Sequence, residues 1–363
     1  MKLDPATLDA IVRPRRVTTS SIGGLLRSEP EDFDVEEIPA YTPEGEGDHL
    51  FLWVEKRAFP TEAVGRELAK SLRVSVSEIG FAGLKDTVAV TRQFVSVPRQ
   101  AADDAGWNWR SSPNALGGDR FRILSVTPHG NKLRTGHLRG NRFRIVLRPE
   151  KSWSDEEIQI AREAVAQVMK IGLPNYYGEQ RFGRGGSTVD LGLELLRSQK
   201  NASDERRPSR RVSRNLKRLA LSAVQSAVFN LVVSDRLERG DLVRAQIGDV
   251  FQVCASGGPF LVADPEVEQP RLDRREVVPA GPMFGKKMKP SAGVVRDLEL
   301  SALERMGLDE SSFDIPGKLL LGTRRPMLVW PSPEVHGDAE GIVLTFDLPK
   351  GSYATVLLRE ITG

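Results

Sequence analysis

Residues 80 to 97 read Gly-Phe-Ala-Gly-Leu-Lys-Asp-Thr-Val-Ala-Val-Thr-Arg-Gln-Phe-Val-Ser-Val. Gly80 and Gly83 permit a tight backbone path, Lys85 and Asp86 set opposite charges side by side, and the run that closes the stretch is apolar and β-branched. A turn followed by a buried strand holds one carboxylate at the lip of a sheet. From the residues alone Asp86 is either a turn residue, a position Asp favours, or a carboxylate held for chemistry.

The rest of the chain sets the frame for that choice. At 363 residues it is long for one hydrophobic core and predicts two domains. Its 39% hydrophobic and 28% charged residues are those of an ordinary globular protein that folds without staples. One cysteine, Cys254, excludes an internal disulfide, and the dispersed His49, His129, His137 and His336 form no pair at metal-ligand spacing, so no metal site is expected. The N-terminal MKLDPATLDAIVRPRR lacks the apolar stretch of a signal peptide, and no run reads as long enough to span a bilayer. The expected compartment is the cytoplasm, with no membrane association.

Net charge is only +3, but it is unevenly spread. Lys132, Arg134, Arg139, Arg142, Arg144 and Arg148 follow His129 with no acid among them, and a second basic run extends from Arg206 to Arg218. Local basic surface on a nearly neutral chain suits a polyanionic partner. The second run reads equally as a solvated face.

In chain order, residues 1–20 read as a peripheral lead-in. A strand carrying alternating Phe33 and Val35 and a strand over 50–55 follow, joined by a Gly/Pro/acidic loop. Residues 61–72 predict an amphipathic helix with Thr61 as N-cap and Val64, Leu68 and Leu72 at four-residue spacing. Strands are expected over 92–97 and 121–126, separated by a loop whose Trp107 and Trp109 either stack on bases or fill a core. From Asn141 the chain alternates, with Phe143, Ile145 and Leu147 on one face and Arg142, Arg144 and Arg148 on the other. Residues 154–171 predict a helix with a Ser154/Glu157 capping box and Gly172 past its end.

Residues 173–187, LPNYYGEQRFGRGGS, combine aromatics, glycines and arginines that suit phosphate and base contact, or wedge a turn with Tyr176, Tyr177 and Phe182. A core helix over 215–237 is expected next, then short strands in GDVFQV and PFLVA. Residues 281–290 read as a Gly/Pro loop presenting Lys286, Lys287 and Lys289, either to RNA phosphate or simply to solvent. Strands over 342–348 and 353–358 close the chain.

Five stretches resemble, in order, the motifs of the TruD family of tRNA pseudouridine synthases: LLRSEPEDF at 25–33, the opening stretch at 80–97, GNRFRIVLR at 140–148, LPNYYGEQRFGRGGS at 173–187, and FDLPKGSYATVLLRE at 346–360. The resemblance implies that Asp86 is the catalytic aspartate. It implies that Arg27, where some members carry Lys, pairs with Asp86, and a guanidinium there would keep the carboxylate ionised and aimed. It implies that Asn141 supports the aspartate loop and that Phe143 stacks on the target uracil. Lys85, Tyr176, Arg181, Lys286, Lys287 and Lys289 complete the expected substrate-binding set.

The implied fold is α+β: a pseudouridine synthase-type catalytic domain with a mixed, largely antiparallel sheet, formed by residues 1–172 and 323–363. A smaller α/β domain, residues 173–322, is inserted in it. The implied activity is that of an isomerase, converting a uridine of tRNA, U13 of the D-arm within the family, to pseudouridine. It needs neither cofactor nor metal, and no obligate protein partner is implied. Two other classes fit parts of the pattern. A non-catalytic RNA-binding or RNA-chaperone protein of the same fold would need the basic surface only, and a base-excising hydrolase would need a second carboxylate placed for acid or base work.

Overall fold

Period-two alternation builds the sheet that carries Asp86. Its strands run in the order Glu334–Gly337, Ile342–Pro349, Leu138–Arg148, Phe33–Pro39, Val90–Pro98, His49–Arg57 and Phe121–His129. Leu25–Leu26 adds to the Leu138–Arg148 strand, and Gly80–Phe81 adds to Val90–Pro98. Every pair is antiparallel except Phe33–Pro39 with Val90–Pro98, so the sheet is mixed and largely antiparallel, and with its helices the fold is α+β. The structure, a computed structural model, describes residues 3–200, 212–315 and 319–363. Arg206 to Arg211 of the second basic run lie outside the described residues.

The chain groups into two units. One comprises Met1–Thr19, Lys170–Trp330 and Thr355–Glu360; the other comprises Ser20–Met169, Pro331–Ala354 and Ile361–Gly363. The large sheet belongs to the second. The segment expected as an insertion, residues 173–322, lies wholly within the first, and Met1–Thr19 and Thr355–Glu360 group with it.

In the sheet unit, Leu50, Leu52, Val54, Val95 and Val97 face the Thr61–Ser71 helix, whose Val64, Leu68 and Ala69 complete a buried cluster. The same face turns polar at one end. Register pairs Val54 with Gln93 and Lys56 with Thr91, and Lys56, Gln93 and Thr91 are all buried. Trp107 and Trp109 belong to this cluster too, each 5% exposed, with their indole N–H groups bonded to Ser112 O and Asp103 Oδ1. They fill a core and offer no face to a base.

In the other unit, Pro259–Leu261, Val250–Val253, Val277–Met283 and Thr323–Pro326 form an antiparallel four-stranded sheet. The Arg214–Glu238 helix is buried almost all round from Ala220 to Ser234. By length and composition it could cross a membrane, contrary to the expectation that no run could, but most of its apolar stretch is buried. A core helix of a large unit passes the same test.

Four other expectations are corrected. Residues 353–358 are not a strand: Ala354–Thr362 is a helix, and its buried Ala354, Leu357, Leu358 and Ile361 fall at spacings of three, one and three. The β-branched and aromatic residues there imitate a strand over six positions and betray the helix only over eight. Residues 281–283 are strand, not loop, because the fully buried Val277–Met283 pairs on both sides despite Pro279 and Pro282. The lead-in is not peripheral, since Pro5–Val12 is a helix capped by Asp4, Ile11 is fully buried and its carbonyl accepts from Asn230. Thr61 is not an N-cap; Pro60 occupies that place, and the Thr61 hydroxyl is used elsewhere.

The two glycines of the opening stretch differ. A Cβ on Gly83 would meet open space, whereas one on Gly80 would lie 2.4 Å from both the Leu133 carbonyl and Ser96 Oγ. Gly80→Ala should therefore cost about 1–3 kcal/mol of unfolding free energy in urea titrations. An unchanged midpoint would show that the backbone beside Ser96 yields freely.

Candidate active site

Between Ala82, whose carbonyl accepts from Gly136 N, and Ala89, whose carbonyl accepts from Ala58 N, the chain forms a loop outside the sheet. Lys85 and Asp86 sit in it and point to opposite environments. Arg27 Nη2 lies 3.1 Å from Asp86 Oδ1, and both side chains are about one-third exposed. A pair so open to water contributes roughly 0.2–1 kcal/mol to stability, so its main effect is directional.

Arg27 reaches that position from a left-handed backbone conformation, φ 61°, a strained choice for a residue with a Cβ. Its guanidinium carbon stands 4.1 Å from the centroid of the Phe33 ring, a cation–π contact that holds the group beside Asp86. Phe33 in turn meets Phe143 nearly perpendicular, at 6.2 Å between centroids, and Phe143 stacks on Phe346 at 5.2 Å. Phe143 is thus packed between aromatic neighbours and only 5% exposed. Both members of the expected catalytic pair, and the expected base-stacking ring, are linked through Phe33.

Lys85 turns inward instead. Its Nζ is 2.9 Å from Glu37 Oε2 and 2.7 Å from Asn141 Oδ1, and its side chain is 4% exposed. Burial pushes the Glu37 carboxyl above its usual range, against the opposing pull of Lys85. Lys85 is thereby a buried anchor of the loop rather than a surface presented to substrate, and Asn141 reaches the loop through it.

The expected substrate-binding residues of the other unit divide into packed and exposed. Tyr176 has no exposed surface, and burial drives its phenol pKa upward. With no exposed surface it presents no face for stacking. Arg181 donates from Nε to Ser226 Oγ at 3.3 Å and from Nη2 to Ser222 Oγ, both on the Arg214–Glu238 helix. Lys286, Lys287 and Lys289 are exposed on a loop pinned where Gly285 and Gly322 approach so closely that a Cβ on either would strike the other's backbone. Lys287 N also donates to Leu321 O at 2.6 Å. Among the described residues, no group of three His, Cys, Asp or Glu is arranged to hold a metal ion.

Comparison with known proteins gives this geometry its context. The family profile of tRNA pseudouridine synthase D (TruD) matches residues 14–203 and 189–361. The chain belongs to the TruD family. It is 42% identical over 341 residues to the tRNA pseudouridine synthase D of Anaeromyxobacter sp. (strain Fw109-5), covering 93% of this chain and 92% of that protein. It is 41% identical over 361 residues to a Thermus thermophilus protein of the same name, covering 98% of this chain and 94% of that one. A crystal structure from Methanosarcina mazei assigned to TruD superposes with a TM-score of 0.76 at 25% identity, covering all of this chain and 98% of that one. The family read from five motifs is therefore the family found.

Around Asp86 lie residues that the motifs did not single out: Phe33 under Arg27, Glu37 under Lys85, and Lys56, whose Nζ donates to the Asp86 carbonyl oxygen at 2.6 Å. One signal for Lys56 was present in the sequence. It continues the alternation of Leu50, Leu52 and Val54 with a charge where the pattern calls for an apolar residue.

Burial lowers the Lys56 pKa from 10.5 to about 8, against the opposing attraction of Asp86. Below about pH 8 both folded and unfolded chains hold the proton, and the folded state bears the cost of burying the charge in full. Between about 8 and 10.5 the unfolded chain keeps the proton while the folded one releases it, so stability rises with pH across that window. Urea unfolding at pH 7.5, 9 and 10 should show wild type gaining on Lys56→Met as pH rises. Parallel curves for the two proteins would remove Lys56 from this titration.

Proposed function

We propose that the chain is a tRNA pseudouridine synthase that isomerises a uridine of tRNA, U13 of the D-arm, with Asp86 as the catalytic carboxylate. The observation that carries the reading is the Arg27–Asp86 pair, assembled from two family motifs at 3.1 Å and left partly open to solvent. A partly exposed carboxylate aimed by a cation–π-held guanidinium suits an attack on, or a proton abstraction from, a ribose. In either course the C1′–N1 bond breaks, the uracil turns, a C1′–C5 bond forms, C5 gives up its proton and N1 takes one up, so that the product is an isomer of the substrate. The base must first leave its stack, at a cost of a few kcal/mol that RNA contacts supply.

Within this reading Phe143, stacked on Phe346 and only 5% exposed, backs the aromatic wall behind Arg27 rather than offering a free face to the uracil; Asn141 and Lys85 hold the loop from beneath, and Lys286, Lys287 and Lys289 contact RNA phosphate. The substrate makes the cytoplasm the working compartment.

The test is to incubate unmodified tRNA with wild type, Asp86→Asn and Arg27→Ala, and to map pseudouridine chemically at each position. Asp86→Asn should lower the rate more than about 1,000-fold. Arg27→Ala should lower kcat about 100-fold with little change in tRNA affinity. Equal product from Asp86→Asn would remove Asp86 from the chemistry, free uracil would make the protein a base-excising hydrolase, and product elsewhere than U13 would correct the site.

Replacing Lys286, Lys287 and Lys289 together by Ala should weaken tRNA binding. It should also flatten the slope of log K against log salt, by about 0.9 for each duplex phosphate that the variant no longer neutralises. An unchanged slope would make that loop a bystander.

A further inference from the structure

The loop that carries Asp86 has no ladder partner between Gly83 and Asp86, yet three of its backbone polar groups are bonded, each to a different buried side chain. Gly83 O accepts from Gln93 Nε2 at 3.0 Å, and Lys85 N donates to Thr61 Oγ1 at 3.1 Å. Asp86 O accepts from Lys56 Nζ at 2.6 Å. Thr61 Oγ1 also donates to Gln93 Oε1 at 3.0 Å. That last bond fixes the Gln93 amide with its oxygen toward Thr61 and its NH2 toward the loop, and it leaves the Thr61 lone pairs free for the Lys85 amide. Lys56, Thr61 and Gln93 come from a strand, a helix start and a second strand, and each is 1% exposed.

Buried polar side chains at core positions are costly unless fully bonded. Here their partners are the backbone of one functional loop. Leu84 and Val88, on either side of the charged pair, are 65% and 51% exposed, so apolar packing of the loop's own side chains does not supply the hold.

We propose that Lys56, Thr61 and Gln93 form a positioning clamp that fixes the backbone of the Gly83–Asp86 loop, and that the reaction rate depends on it. The clamp residues touch no substrate. They act through the place of the Asp86 carboxylate, and a displacement of about 1 Å at a reacting group costs on the order of 100-fold in rate. The inference rests on the reading of Asp86 as the catalytic carboxylate.

Steady-state kinetics on unmodified tRNA would compare wild type with Thr61→Val, Thr61→Ser, Gln93→Met, Lys56→Met and Asp86→Asn, each checked for folding by circular dichroism. Thr61→Val, Gln93→Met and Lys56→Met should lose about 10- to 100-fold in kcat with KM within about twofold, and Thr61→Ser, which keeps the hydroxyl, should restore most of the rate. Hydrogen exchange should be faster at the Lys85 amide in Thr61→Val and unchanged in Thr61→Ser. If Gln93→Met does not fold, Gln93→Asn, too short to bridge Thr61 and the loop, takes its place.

Wild-type kcat in the folded clamp variants, or a loss expressed in KM, overturns the clamp while an inactive Asp86→Asn leaves the reading of Asp86 standing. An active Asp86→Asn removes that reading and the clamp with it.

Discussion

A carboxylate carried on a loop outside a sheet must have its backbone satisfied by something other than the ladder, and much around Asp86 follows from that constraint. If residues 83–86 continued the Gly80–Phe81 strand, pairing would satisfy their N–H and C=O groups but would impose the alternation of a strand on their side chains. Asp86 would then point wherever the pleat sent it. Side-chain partners release the backbone from the pleat at the cost of burying Lys56, Thr61 and Gln93. The apolar face of two strands therefore ends in polar residues at the edge nearest the loop, where Val54 gives way to Lys56 and Val95 to Gln93.

The neighbouring charges of Lys85 and Asp86 divide the same problem. Lys85 is buried against Glu37 and Asn141, while Asp86 stays in partial contact with water beside Arg27. A buried ion pair gains little net stability, because desolvating both charges offsets most of their attraction. What Lys85 supplies is a unique direction. An apolar residue at 85 could pack in several rotamers, whereas an ammonium between a carboxylate and an amide oxygen has one place to go. Asp86 is then left on the side from which Arg27 arrives. The elevated Glu37 pKa shows what the arrangement costs, since burial outweighs even an ammonium at 2.9 Å.

Much of the large sheet was legible in the sequence because its strands alternate cleanly. Phe143, Ile145 and Leu147 are buried and Arg142 and Arg144 exposed, as their spacing predicts. The Ser154/Glu157 capping box is present with both of its reciprocal bonds. The Ala354–Thr362 helix and the Val277–Met283 strand were misread because local composition was opposed by packing: β-branched residues inside a helix, and two prolines inside a strand buried on all sides. Of the site, Arg27 and Asp86 were reachable through motif resemblance, and the structure brings them together across 59 residues of chain. Tyr176 and Lys85 could not be told from exposed contacts, because nothing in a motif says which way a side chain points. Thr61 illustrates the same limit, since a threonine at a helix start reads as a cap whether its hydroxyl serves the helix or a loop packed against it.

Phe33 joins the two halves of the site. Its ring supports the Arg27 guanidinium at 4.1 Å and meets Phe143 nearly at right angles, and Phe143 in turn stacks on Phe346. Aromatic rings in a close-packed interior do not shift independently, because each fills the space its neighbours leave. A movement of the Phe143 ring would therefore disturb the surface on which the guanidinium rests, although no bond connects Phe143 to Arg27. Arg27 also holds a backbone conformation that residues with a Cβ seldom adopt, so its place depends on those contacts rather than on local preference. The direction of the ion pair at Asp86 is thus set by apolar packing as much as by charge.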